Sequence, residues 1–453
     1  MRIHFIAIGG SAMHNLAIAL HHKGYTISGS DDEIFEPSRS RLKALGLLPD
    51  TMGWFPEKIN DKPDAVILGM HAKEDNPELL KAKELGIKIY SYPDFLYQQS
   101  KDKKRIVIGG SHGKTTITSM ILHVLHYWEK DCDYMVGAQL EGFEVMVRLS
   151  EEAPCIVLEG DEYLTSPLDR RPKFHLYKPD IALISGIAWD HMNVFPTFDN
   201  YIDQFRIFAN LISHNGTLIY CENDPEVAKI GRNSRPDIQA IPYSIPSHHI
   251  VNGITYLGID EESIPLKVFG EHNLMNMMGA KHICNELGIS DRDFYQAIQS
   301  FGGASKRLQL LAKSGHTNIY KDFAHSPSKL KATTEAVKKQ YPDRQLAGVM
   351  ELHTYSSLNP AFLNQYEGAM DAVDIPVVYF SEHALKIKKL PPLSAEDVRK
   401  AFNNPKIKVF TESGKLFNFL EEMDMKDKNL LLMSSGNFDG MDLDSFAKKL
   451  LRI

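Results

Sequence analysis

The stretch IVIGGSHGKTT, residues 106–116, constrains the fold of this chain more than any other. Three apolar residues predict a buried strand, and the glycines that follow let the backbone turn sharply. Beyond them Ile117, Met120, Ile121, Val124, Leu125 and Trp128 recur at three- and four-residue spacing, which predicts an amphipathic helix. Strand, glycine-rich turn and helix in that order form an anion-binding arrangement. Backbone N–H groups can curl around a phosphate, and the helix presents its positive end to it. Lys114 would contact the β- and γ-phosphates of a nucleotide, and the Thr115 hydroxyl would ligate Mg²⁺. The loop is one piece short of the common pattern, because counting five residues back from Gly113 lands on Ile108 instead of a glycine. A plain strand-to-helix turn with an incidental Lys-Thr is the competing reading; the flanking strand and helix favour phosphate.

The same alternation fills the rest of the chain. Residues 3–8 predict a strand, Gly9 and Gly10 a turn, 13–23 a helix closed by Gly24, and 25–30 a strand ending in Asp31. A further strand is expected at 64–69 and a helix from 77 to about 85. Short apolar strands follow at 155–158, 181–185 and 217–220, and a last series at 346–350, 375–380, 407–410 and 429–433. Alternation of this kind predicts parallel sheets with helical crossovers. At 453 residues more than one core is required. The charged stretch 101–105 reads as a linker and 301–305 as a second boundary. The expected division is 1–100, 101–304 and 305–453, three α/β units in series. A net charge of −7 without a basic run argues against nucleic acid, and no apolar stretch approaches a membrane span. The four cysteines form no CxxC pair, which fits buried thiols in a reducing, cytoplasmic setting.

The shortened loop resembles the GTxGKTT of the Mur ligase family, with Ser111 in the usual threonine place. Other motifs of that family follow in order. LEGDE at 158–162 resembles EADE, and WDH at 189–191, expected to end a strand, resembles the family's DH. FGEHNLMN at 269–276 is similar to GxHNxxN, SKRL at 305–308 to an arginine-bearing junction, and KDFAHSP at 321–327 to DDFAHHP. IAIGGSAM at 6–13 resembles the GIGGxxM loop that holds UDP. The resemblance implies a three-domain architecture: a Rossmann-like UDP domain, a P-loop ATPase domain and a C-terminal Rossmann-like domain. It implies ATP held by Gly110, Ser111, His112, Gly113, Lys114, Thr115 and Thr116, by His272 and Asn273 at the adenine, and by Arg307 and Asp322. Two Mg²⁺ ions, with Mn²⁺ as the alternative, would sit at Thr115, Glu159 and His191. Lys114, Glu159, His191 and His325 would carry catalysis, and Gly9, Gly10, Ser11, Met13, Ser30 and Asp31 would bind UDP.

Within the family, YLTSPLDRRPKF at 163–174 with HLYKP at 175–179, and MSSGNFDG at 433–440, resemble the murein peptide ligase branch. That branch joins L-Ala-γ-D-Glu-meso-diaminopimelate to UDP-N-acetylmuramate through an acyl phosphate, in peptidoglycan recycling. Arg206 stands where two other branches carry a carbamylated lysine. ELHTYSSL at 351–358 is closer to the QPHTYSR of the L-alanine-adding branch than to the EPRSN of the peptide-adding branch, and it lacks the arginine of both. That branch, which serves peptidoglycan synthesis, is the alternative.

Overall fold

The computed structural model describes residues 1–139, 142–189, 194–259, 262–304 and 307–453. It divides into two compact units: residues 1–244 with 278–294, and 245–277 with 295–453.

The first unit contains a parallel four-stranded sheet and a seven-stranded sheet that is parallel except for its last pair. In the four-stranded sheet the order is Thr26–Ser30, Arg2–Ile6, Ala65–Leu68, Ile89–Ser91. The first strand in sequence is thus internal, with its successors on either side. In open sheets of this type, ligands bind at the carboxyl ends of the strands where the chain reverses direction across the sheet. The Gly9-Gly10 turn lies at that point. Its helix begins at Ser11, two residues earlier than the apolar spacing suggests, and ends at His22 before the left-handed Gly24.

The seven-stranded sheet repeats the scheme on a larger scale. Its order is Gln239–Tyr243, Thr217–Cys221, Ile181–Ile184, Lys104–Gly109, Cys155–Glu159, Asp133–Met135, Val147–Arg148. Strand Lys104–Gly109 sits between Ile181–Ile184 and Cys155–Glu159, so the 106–116 loop also leaves the sheet at a reversal. Two readings are corrected here. Residues 101–105 are no free linker, because the strand starts at Lys104. Arg105 is buried, its guanidinium donating to the carbonyls of Ser100, Lys101, Lys103 and Lys178 and to Asp180. Burying such a group requires that its donors be filled, and here the chain folds around it. The strand expected to end at 189–191 ends at Ile184.

The second unit holds a six-stranded sheet ordered Gln309–Ser314, Thr317–Asp322, Lys428–Met433, Gln345–Leu352, Ile375–Phe380, Lys408–Phe410. Only its first pair is antiparallel. Apolar residues from both faces of the sheet, such as Tyr320, Met350 and Phe380 on one and Ile319, Val349 and Tyr379 on the other, fill two core layers. An antiparallel sheet of His248–Val251, Ile254–Ile259 and Glu262–Leu266 also belongs to this unit; its pattern was too short and polar to be read from sequence.

Candidate functional site

In the first unit the predicted phosphate loop closes on itself. Gly110 takes φ +135°, and a Cβ added there would fall 2.0 Å from the Ser185 hydroxyl. Gly113, at φ +84°, precedes helix Lys114–Tyr127, whose first turn has no side-chain cap. The first backbone N–H groups of a helix have no acceptor within the helix, so this end suits an anion. The Lys114 ammonium lies 2.5 Å from the Gly110 carbonyl and 2.6 Å from the Glu162 carboxylate. Burial opposes its charge, but Glu162, Asp161 and Glu159 outweigh burial and hold the ammonium above its ordinary value.

Glu159 ends strand Cys155–Glu159. It accepts from the Thr115 hydroxyl at 2.8 Å and from the Gly137 N–H at 3.0 Å. A hydroxyl beside a carboxylate is a hard-oxygen donor pair, and it fits Mg²⁺. His191, the third expected ligand, lies outside the described residues. Among the described residues no group of three or more His, Cys, Asp or Glu side chains converges to hold a metal.

Several residues of this site carried no role in the sequence reading. Glu162 is buried and accepts from Tyr201 at 3.1 Å; Tyr201 in turn pairs with the Ser111 hydroxyl at 2.8 Å. Ser111 also accepts from the Ala188 N–H, and the Ser185 hydroxyl donates to the His112 carbonyl. Asp161 is opposed by burial yet held at about 2 by Lys173 and Lys114. Glu162 stood in the quoted LEGDE and could have been singled out as a carboxylate three residues past Glu159. Tyr201, ninety residues from Ser111, left no signal. Thr116 is buried on the helix behind the loop. Arg206 is half-exposed on helix Phe198–Asn210 and pairs with Asp203.

At the other reversal, the Gly9 N–H donates to the Asp31 carboxylate at 2.7 Å. Burial raises the Asp31 carboxyl to about 6, with Asp32 adding to the rise and the Gly9 N–H opposing it. Ser30 is buried and accepts from Lys58; Met13 is buried against Gly10, and Ser11 is exposed at the helix start.

In the second unit, Arg307 stacks over Phe323 at 4.8 Å and lies near enough to perturb both His272 and Asp322. Burial first, then Arg307, lowers His272 to about 4. Asn273 donates to the Phe269 carbonyl at 2.9 Å. Asp322 accepts from the N–H groups of Leu308 at 2.6 Å and Ala324 at 2.7 Å; burial raises its carboxyl despite Arg307. His325 packs edge-on against Phe323 and holds its carbonyl. Thus His272, Arg307, Asp322 and His325 form one neighbourhood.

The description "Mur ligase family, catalytic domain" matches residues 2–104, and "Mur ligase middle domain" matches 108–284. A UDP-N-acetylmuramate–L-alanine ligase of Carboxydothermus hydrogenoformans is 30% identical over 97% of this chain and 95% of its own. This chain belongs to the Mur ligase family. It is therefore an ATP-dependent, ADP-forming ligase that makes a carbon–nitrogen bond. The corresponding enzyme of a Sulfurihydrogenibium species is 30% identical over 99% of this Mur ligase and 98% of its own chain. Two solved structures share the fold. The UDP-N-acetylmuramate-alanine ligase of Thermotoga maritima has a TM-score of 0.71 at 18% identity, covering 100% of this chain and 98% of that one. A murein peptide ligase of Psychrobacter arcticus has a TM-score of 0.65 at 21% identity, covering 100% and 99%. No helix among the described residues is long and apolar enough to cross a membrane.

Proposed function

We propose that this Mur ligase couples L-Ala-γ-D-Glu-meso-diaminopimelate to UDP-N-acetylmuramate. ATP would activate the lactyl carboxylate as an acyl phosphate, which the peptide amine opens. The observation that carries the choice of amine is the likeness of 163–179 and of MSSGNFDG at 433–440 to the peptide-adding branch. Ser357, buried and 2.9 Å from the Thr354 hydroxyl, stands where the L-alanine-adding branch has an arginine. The arginine of the peptide-adding branch is missing as well, so this position does not choose between the two amines. The 163–179 segment is packed into the first unit, with Phe174 buried against Phe205 and Phe208.

Lys114 would exchange Glu162 for the β- and γ-phosphates and steady the transferring group. Bound Mg²⁺ would neutralise phosphate oxygens, with Thr115, Glu159 and, by resemblance, His191 as its holders. Two ions are proposed, Mn²⁺ serving as the alternative. Gly110, Ser111, His112, Gly113 and Thr116 shape the loop, while Ser111 is aimed by Tyr201. His272 and Asn273 would face the adenine, and Arg307, Asp322 and His325 would serve the phosphates and the incoming amine. Gly9, Gly10, Ser11, Met13, Ser30 and Asp31 would receive UDP, with the Asp31 carboxylate accepting from a sugar hydroxyl.

A second reading is the L-alanine ligase. The two 30% identical relatives spanning nearly the whole chain support it, as does the HTYS segment. The test supplies ATP, Mg²⁺ and UDP-N-acetylmuramate, then compares ADP release with L-alanine and with the intact tripeptide. Turnover with tripeptide and not with alanine is expected. Turnover with alanine alone would replace the first reading by the second.

A further inference from the structure

Cys132 and Cys155 lie at the opposite end of the seven-stranded sheet from Glu159. Strand Asp133–Met135 runs parallel to Cys155–Glu159, and Asp133 pairs with Ile156. One residue back along each strand, Cys132 comes beside Cys155. Neighbouring strands run about 4.8 Å apart, within the roughly 4.4–6.8 Å between Cα atoms that a disulfide spans. The two thiols lie close enough for each to shift the other's ionisation, and Cys132 donates to the Asp133 carbonyl at 3.0 Å. Both are free and 7% exposed, at the rim of the sheet. A chance pair of buried cysteines would more often point to opposite faces or lie on strands that are not neighbours; this pair shares one face at adjacent positions.

We propose that Cys132 and Cys155 are a modification site, a dithiol that a peroxide converts to a cross-strand disulfide. The pair is polarised for that chemistry. The neighbouring Cys132 thiol, with help from Lys104, holds the Cys155 thiol below its ordinary value, against burial, Asp133 and Asp131. Cys155 in turn, with burial, pushes Cys132 up. Cys155 is thus the attacking thiolate. It breaks the O–O bond of hydrogen peroxide, becoming a sulfenic acid and releasing hydroxide. The Cys132 sulfur then displaces the sulfenic oxygen. An S–S bond forms, both thiol hydrogens are lost, and one peroxide leaves as two waters.

The bond would tie strand Asp133–Met135 to the neighbouring strand that carries Glu159. Just past Met135, the Gly137 N–H donates to Glu159. Oxidation therefore fixes the register of the two segments that meet at the Thr115–Glu159 pair.

The test uses the full chain, folded, with hydrogen peroxide, then thiol titration after unfolding. Two of the four thiols should disappear, a dithiol reductant should restore them, and peptide mapping should join the Cys132 and Cys155 peptides. Cys221→Ser and Cys284→Ser should still lose two. Cys132→Ser should instead leave Cys155 as a sulfenic acid that dimedone captures. Four surviving thiols under peroxide that oxidises free cysteine would overturn the proposal. So would a bridge mapped to Cys221 or Cys284, or one that appears only when the protein is unfolded before oxidation. Mapping of the unsubstituted chain decides the matter even if a serine variant fails to fold.

Discussion

Two glycine turns of the first unit, Gly9-Gly10 and Gly109-Gly110, start from the same plan and end in opposite chemistry. Each follows an internal strand with parallel neighbours on both sides and precedes a helix without a side-chain cap. After Gly10 the helix begins at once, and the turn is closed by the Asp31 carboxylate on the Gly9 N–H. After Gly110 three residues intervene, and the wider loop is closed by the Lys114 ammonium on the Gly110 carbonyl. A tight turn ending in a carboxylate suits hydroxyl donors of a sugar. A wide loop ending in a cation suits a chain of phosphates. Loop length and the sign of one side chain therefore separate two sites built on one topology.

The largest expected effect breaks the cationic turn. Glu162→Gln removes the carboxylate in contact with the buried Lys114 ammonium and leaves only Asp161 and Glu159 nearby, which costs up to about 3–5 kcal/mol of stability. Urea unfolding measures it, and an unchanged midpoint would mean the pair is not a buried contact in solution.

Lys114→Ala should lower ADP release by ~10²–10³-fold or more, the scale of losing a donor aimed at transition-state charge. Binding of the UDP-sugar, which depends on the other turn, should change little. Retention of most turnover would refute the role given to Lys114.

Substituting the glycines sharpens the contrast. Gly110→Ala meets both a positive φ and the Ser185 backbone N at 3.1 Å, so strain and overpacking add, each about 1–3 kcal/mol. Gly9→Ala meets only side chains, Ile34 at 2.6 Å and Asp31 at 3.0 Å, and should cost the overpacking alone. Equal losses in thermal unfolding would show that the backbone conformation at Gly110 is not what matters.

The smallest effect concerns pH at the acidic turn. Asp31, at about 6 in the folded chain against 3.8 ordinarily, binds its proton more tightly when folded. Stability should therefore be fullest below pH 4 for this group and fall as pH rises through about 6. UDP-sugar binding, which needs the carboxylate, should move the other way and weaken as pH falls below about 6. Asp31→Asn should flatten both trends; if the slopes persist in that variant, another group is responsible.

The strands and helices around both turns were legible because buried parallel strands and amphipathic helices write their periods into short stretches. So were Lys114, Thr115 and Glu159, whose pattern is local. Arg105 was misread because a charge run looks like solvent-exposed linker until the carbonyls that receive it are in place. The end of strand Ile181–Ile184 was overrun for a related reason, since an apolar pattern does not say where pairing stops. Glu162 was visible but without a partner, and Tyr201 was invisible.

By itself the sequence determined the alternating α/β build, the two glycine turns, and the family to which the chain belongs. Those properties depend on the order of residue types along short segments. Only the tertiary structure decided which polar groups meet: Lys114 with Glu162, Ser111 with Tyr201, and the strand of Cys155 beside that following Cys132. Contacts across tens of residues are set by how sheets close and helices cross. Nothing in the spacing of the partners along the chain announces them.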